Sequence, residues 1–85
     1  MKKHFALKLI APRLTFAKDM SAEERAIMQQ HVAYWKGLMD AGNVLVFGPV
    51  IDPKGVYGLG IVEAESEEQV NLFIANDPAT KINRY

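Results

Sequence analysis

Cysteine is absent from the 85 residues, which removes disulfides, thiol nucleophiles and thiolate metal ligands. Histidine is scarce as well. His4 and His31 are the only imidazoles and show no metal-ligand spacing, so neither a metal nor a cofactor is expected. Neither sign of charge is in excess: ten basic side chains meet ten acidic ones, and the two are interspersed. Without a basic stripe there are no counterions to release from a nucleic acid, and no nucleic-acid partner is expected. Long apolar runs are missing too. Met1-Lys2-Lys3 precedes only a short run interrupted by Lys8, too short and too charged for a leader or a membrane span, so a cytoplasmic protein without a membrane partner is expected. No repeat or low-complexity segment breaks the chain, which reads as one domain over residues 1–85.

What is present in quantity is apolar surface, at 49% hydrophobic residues. A chain this short buries only about 60 to 65% of its unfolded surface, so it gains from a partner, and a homodimer is expected. The segment around which the rest is organised runs from Ser21 to Gly42. At about 3.6 residues per turn, Ile27, Met28, Tyr34, Trp35 and Leu38 fall on the side of His31, while Arg25, Gln29, Lys36 and Asp40 lie opposite. This spacing predicts an amphipathic helix with His31 turned to the core. Ser21 and Glu24 form the S-x-x-E capping box at its start, and Gly42 supplies a left-handed stop at its end.

An imidazole on an apolar stripe has two readings. It is either a core histidine satisfied by neighbouring groups, or a general acid or base held in a partly dry pocket. Helical position does not choose between them.

Around this helix the pattern is that of a small sheet. His4 to Ala11 alternates, with Phe5, Leu7 and Leu9 on one side, and Pro12 closes the strand. Pro12 to Met20 reads as a loop whose Leu14 and Phe16 are costly to leave in water and so pack over something. Arg13 and Lys18 could bind an anionic group on a ligand, but as exposed loop cations they read as solvated. Asn43 to Pro49 is continuously apolar, as in a strand buried on both faces, and the chain has too little left to cover the second face, which points to a second subunit. Gly48 to Gly55 carries the punctuation of a long hairpin connection, with Asp52 before Pro53 at its turn. Val56 to Ala64 is a third strand whose Gly58 and Gly60 share a face and leave a hollow, for close helix packing, for a bulge or for a ligand. Ser66-Glu67-Glu68-Gln69 opens a second helix through a second capping box, with Val70, Phe73 and Ile74 on one face. If its last turn continues that far, Asp77 points inward with them before Pro78 ends the helix; the alternative is a plain turn residue. Lys81 to Tyr85 leaves room for at most a short fourth strand. The order strand, helix, strand, strand, helix, short strand predicts an α+β fold, the ferredoxin-like split βαβ with an antiparallel sheet and both helices on one face.

In that fold His31 and Asp77 lie on the same side of the sheet. A carboxylate paired to one imidazole nitrogen fixes the tautomer and raises the basicity of the other, which suits proton transfer. The pattern H31-x-x-Y34-W35-x-x-L38-x-x-x-G42, G48-P49, the D52 turn, S66-x-E68-x-V70 and D77-P78 resembles the YCII-related, or YciI-like, domain family over His4 to Asp77. The resemblance implies a dimeric α+β barrel built from two ferredoxin-like protomers that pair through the open sheet face. It also implies a His and an Asp suspected of catalysis, which map onto His31 and Asp77. Such domains run on into a full last strand, and here that strand is very short or incomplete. The functional expectation is a cofactor-free lyase or isomerase acting on a small-molecule ligand. His31 is its proton acceptor and Asp77 the orienter; Tyr34, Trp35 and Phe47 are apolar walls, and Gly48, Pro49 and Asp52 are counted with them as substrate-binding. A non-catalytic metabolite-binding or protein-interaction module with the same fold is the alternative, and an oxygen-using enzyme without cofactor is a third reading.

Overall fold

The computed structural model describes residues 2–85. In chain order it consists of β1 (Lys3–Leu9), a short helix α1 (Phe16–Asp19), the long helix α2 (Ala22–Asp40), β2 (Val44–Val50), β3 (Tyr57–Ala64), α3 (Glu67–Ala75) and a 3-10 turn (Pro78–Lys81). The three strands form one antiparallel sheet in the order β1-β3-β2. This is the α+β, ferredoxin-like arrangement expected from the element order.

β3 is central, and its inward residues decide how closely the helices approach. Gly60, Val62 and Ala64 face the helices and are buried, with Leu7 and Phe47 opposite Gly60 on the two flanking strands. α2 and α3 deliver Trp35 and Val70 onto that face, closing a core with Val44, Val62 and Ala64. The hollow at Gly60 is filled by the Trp35 indole: a Cβ there would lie 2.7 Å from Trp35 Cζ3. Gly60→Ala is therefore expected to destabilise the domain by about 1 to 3 kcal/mol, since a packed indole cannot back away without moving α2. Urea unfolding reads this, and a variant as stable as the wild type would show that Trp35 is not wedged against β3.

The boundaries of α2 are those its capping residues specify. Ser21 Oγ accepts the Glu24 N–H at 3.1 Å and Glu24 Oε1 accepts the Ser21 N–H at 2.8 Å, a complete capping box. At the other end Gly42 adopts φ +88°, and the Asn43 and Gly42 N–H groups donate to the Leu38 and Met39 carbonyls, a Schellman stop. The second box differs from expectation. Ser66 caps α3 by accepting from the Gln69 N–H, but Gln69 Oε1 takes the N–H of Glu65 rather than that of the cap residue, so the reciprocal bond is shifted by one position.

Two expectations need correction. The segment from Pro12 to Met20 is not wholly irregular, because Phe16–Asp19 forms a helical turn that buries Phe16 while Leu14 stays 82% exposed. Arg13 is not a free loop cation: it donates from Nε to Asp19 and from both Nη atoms to Glu24, at 2.8 Å in each case. That pairing holds the Glu24 carboxyl down to about 2, chiefly through the Arg13 bond and then through the Ser21 N–H. Within the single chain β2 is covered on one face only, the face expected to meet a second subunit being open. It is an edge strand with Val44 inside, whereas Leu45 and Val46 are more than half exposed. The last segment is as short as expected, reduced to one antiparallel bridge between Ile10 and Arg84 at the end of β1. Among the described residues no helix is long and apolar enough to cross a membrane.

Candidate functional site

His31 and Trp35 are one turn apart on α2, so their rings stand on the same face of that helix. Both ring N–H groups end on a single carboxylate. His31 Nδ1 lies 2.9 Å from each oxygen of Asp77, and Trp35 Nε1 donates to Asp77 Oδ2 at 2.9 Å. A carboxylate only accepts, so the contact assigns the imidazole proton to Nδ1 and leaves Nε2 as the open nitrogen of the ring.

Asp77 reaches this position by a route different from the one its helical spacing suggested. α3 ends at Ala75, and Asp77 instead caps the following 3-10 turn, with Oδ1 accepting the Ala79 N–H at 2.9 Å. The correction reverses the local electrostatics, since an acid at the start of a helical turn is favourable where one at a helix C-terminus is not. Tyr85, delivered by the chain segment beyond that turn, donates its hydroxyl to Asp77 Oδ2. Four donors thus converge on one side chain that is fully buried.

Burial by itself pushes the Asp77 carboxyl up, but the bonds from His31, Tyr85, the Ala79 N–H and Trp35 together outweigh it, and the group is held below the usual carboxylate range. The Tyr85 phenol moves the other way, raised far above its ordinary value by burial and then by its bond to Asp77. Because the folded carboxyl titrates below 3.8, Asp77 contributes stability that is present above that pH and is lost as pH falls through its depressed value. Thermal unfolding followed downward in pH is expected to lose stability more steeply below about 3.8 in the wild type than in Asp77→Asn. Parallel curves would mean that other carboxyl groups carry the acid response.

His31 also borders a cavity of about 440 Å³. Trp35, Phe47, Gly48 and Pro49, all expected at the site, line it, and Gly58 and Gly60 lie in its wall. Tyr34 and Asp52 are placed elsewhere. Tyr34 turns between the two long helices and donates its hydroxyl to the Phe73 carbonyl at 2.7 Å; its phenol is raised by burial and then by the Asp77 charge. Asp52 accepts the Lys54 N–H at 2.8 Å in a local turn and borders a separate surface depression with Lys8 and Arg13.

Among the residues that the fold brings to the cavity and sequence spacing missed are Phe16, Met28, Asn83 and Tyr85. For Phe16 and Met28 a signal was present, in the apolar loop residue and in the helical stripe that already held His31. Asn83 and Tyr85 carry no local pattern, and their place follows from the chain returning along β1 at the Ile10–Arg84 bridge. Among the described residues no three His, Asp or Glu side chains converge as a metal site requires.

Comparison with known proteins adds one finding. Neither the curated proteins nor the solved structures contain a match to this chain. The sequence profile of the YCII-related domain does match, over residues 10–85, and with nearly its whole length covered the chain belongs to the YCII-related domain family.

Proposed function

We propose that this protein is a cofactor-free enzyme of lyase or isomerase type, with His31 as proton acceptor and Asp77 as its orienting group. The observation that carries the reading is the geometry of one imidazole: Nδ1 is committed to a buried carboxylate, and the ring that bears the open Nε2 lines an apolar cavity.

Nε2 takes a proton from a substrate carbon or oxygen atom. The electron pair so released forms a double bond, either with the proton returned at a second position or with departure of a leaving group. Through both steps the Asp77 carboxylate stabilises the imidazolium that forms, and Trp35 and Tyr85 keep that carboxylate ionised and immobile. Phe47 and Pro49 contribute the apolar walls. We propose in addition that two copies pair through the open sheet face, where Leu45 and Val46 are exposed.

The test begins with a metabolite library screened by thermal shift, which needs no known assay because a ligand of the folded state raises the melting point by mass action. A ligand found in this way is then offered for turnover to the wild type and to His31→Gln. Conversion by the wild type alone, at matched affinity, supports the enzyme. Binding without conversion by either leaves the protein a binding module.

A further inference from the structure

The segment between β1 and α2, residues 12–20, covers the cavity beside His31. Phe16, Ala17 and Met20 supply part of the lining. Phe16 is buried, yet it stands apart from the core that Trp35, Val44, Val62, Ala64 and Val70 form. Its ring can leave the wall without unpacking the sheet.

The way this segment is held sets it apart from the rest of the wall. The strands are bonded to one another along their length, whereas the segment's backbone bonds close on itself: the Phe16 N–H donates to the Arg13 carbonyl, and those of Lys18 and Asp19 donate to the Thr15 carbonyl. Its two ends are pinned. The Ile10–Arg84 bridge fixes the chain just before it, and the Ser21–Glu24 cap fixes the chain just after it. Between those points, among the described residues, one polar contact leaves the segment. It is the two-pronged bond from the Arg13 guanidinium to the Glu24 carboxylate on α2, at 2.8 Å for each prong. Leu14 rests against Gly55 of the β2–β3 connection but stays mostly exposed. The Arg13 guanidinium also stands 5.3 Å from the centre of the Phe16 ring, so the ion pair and the buried ring are coupled through one side chain.

A segment without backbone bonds to its surroundings opens more readily than a strand or a long helix, and salt weakens an ion pair at the surface. We infer that residues 12–20 are a lid over the ligand cavity, hinged at Ile10 and Ser21, with Phe16 as its plug and the Arg13–Glu24 pair as its clasp. Closed, the lid covers the cavity beside His31; open, it admits the ligand. The inference rests on reading the cavity as the ligand site and adds how access to it is controlled.

Because the chain has no cysteine, one placed in the cavity is its sole thiol. Leu9 is buried and lines the cavity from β1. Leu9→Cys is treated with N-ethylmaleimide, an uncharged reagent, and the rate of alkylation is followed. The rate is expected to be far below that of the urea-unfolded chain and nearly constant in urea below the unfolding transition, as local opening requires. Adding Arg13→Gln, or Glu24→Gln, which retains the capping box, is expected to speed alkylation about three- to tenfold with the urea midpoint little changed. Sodium chloride at about 1 M is expected to speed Leu9→Cys about twofold and to leave the two clasp variants unchanged. Alkylation as fast as in the unfolded chain would mean that the cavity stands open without a lid. A rate that climbs with urea in step with global unfolding, that neither clasp substitution changes, or that salt raises equally in all three proteins would equally overturn the inference. Leu7→Cys, on the same face of β1, takes the place of Leu9→Cys should that variant not fold. Access is read here without ligand or turnover, so this inference and the proton-transfer proposal fail separately: a His31→Gln protein that keeps its turnover sinks the second and leaves the lid standing.

Discussion

Asp77→Ala is expected to cost about 3 to 5 kcal/mol of folding stability, the range for removing one partner from a buried charged network. The cost does not come from the carboxylate itself. It comes from what the carboxylate leaves behind: the His31 ring N–H, the Tyr85 hydroxyl and the Ala79 N–H lose their acceptor at once, and the Trp35 N–H keeps only its second one, the Tyr85 oxygen at 3.1 Å. Trp35 is only 2% exposed and Ala79 fully buried, so water does not readily replace what is lost. The substitution also removes the cap of the 3-10 turn and loosens the contact between α2 and the segment that carries Asn83 and Tyr85. For a domain of this length the whole stability is about 4 to 13 kcal/mol, so the variant is expected to sit near its unfolding transition at ordinary temperatures. Asp77→Asn keeps the volume and one acceptor oxygen but turns an N–H₂ toward other donors, and its loss is expected to be smaller. Urea denaturation of the two variants beside the wild type measures the order. If Asp77→Ala unfolded within about 1 kcal/mol of the wild type, the His31, Tyr85 and Ala79 donors would have found other partners and Asp77 would not be the hub of the site.

His31→Gln is the substitution with the largest expected effect on activity, a loss of about 10² to 10⁴ in turnover with ligand affinity little changed. Glutamine is close to the imidazole in reach, and its amide N–H₂ can donate to Asp77 in place of Nδ1, so the carboxylate stays partnered. What glutamine lacks is basicity, because an amide oxygen accepts a hydrogen bond without carrying off a proton. Stability is accordingly expected to fall by about 1 kcal/mol or less, the net worth of an ordinary buried hydrogen bond. The two readouts moving apart is the signature of a proton acceptor; the two falling together would be that of a core histidine. Asp77→Asn adds an independent check. With an amide in place of the carboxylate the imidazole can turn its lone pair to Nδ1, and turnover is expected to fall in a protein that still folds. Unchanged turnover in His31→Gln would end the proposal whatever the geometry.

Trp35 illustrates how much of this arrangement was legible beforehand and where legibility stopped. Its place on the apolar stripe of α2 follows from helical spacing, and its burial follows from that stripe meeting a sheet. Close helix packing was one of the readings of a glycine face, and the structure shows it at Gly60, where Trp35 is wedged, while Gly58 and Gly60 also line the cavity. That its indole N–H shares an acceptor with His31 was not visible at all, because the acceptor is 42 residues away in sequence. Tyr34 makes the same point in reverse. It shares the stripe with His31, yet a few tens of degrees of helix rotation send it to the Phe73 carbonyl rather than to the cavity.

Leu14 was expected to find cover and did not, since an irregular segment can bury one large side chain, Phe16, without burying its neighbour. For Asp77 the inward direction was anticipated but the backbone was not: the helix stops two residues early, and a proline-initiated turn aims the side chain instead.

By itself the sequence determined the three strands and two main helices, their order, the ends of α2 and the face that looks inward, because capping bonds, glycine conformations and apolar periodicity act between residues a few positions apart. The tertiary structure decided which polar groups meet. The bond between His31 and Asp77 spans 46 positions and that between Trp35 and Tyr85 spans 50. Whether such groups touch depends on how closely the helices settle on the sheet, and that is set by the packing of Trp35 over Gly60 and by the return of the chain to β1, neither of which is written in any local pattern.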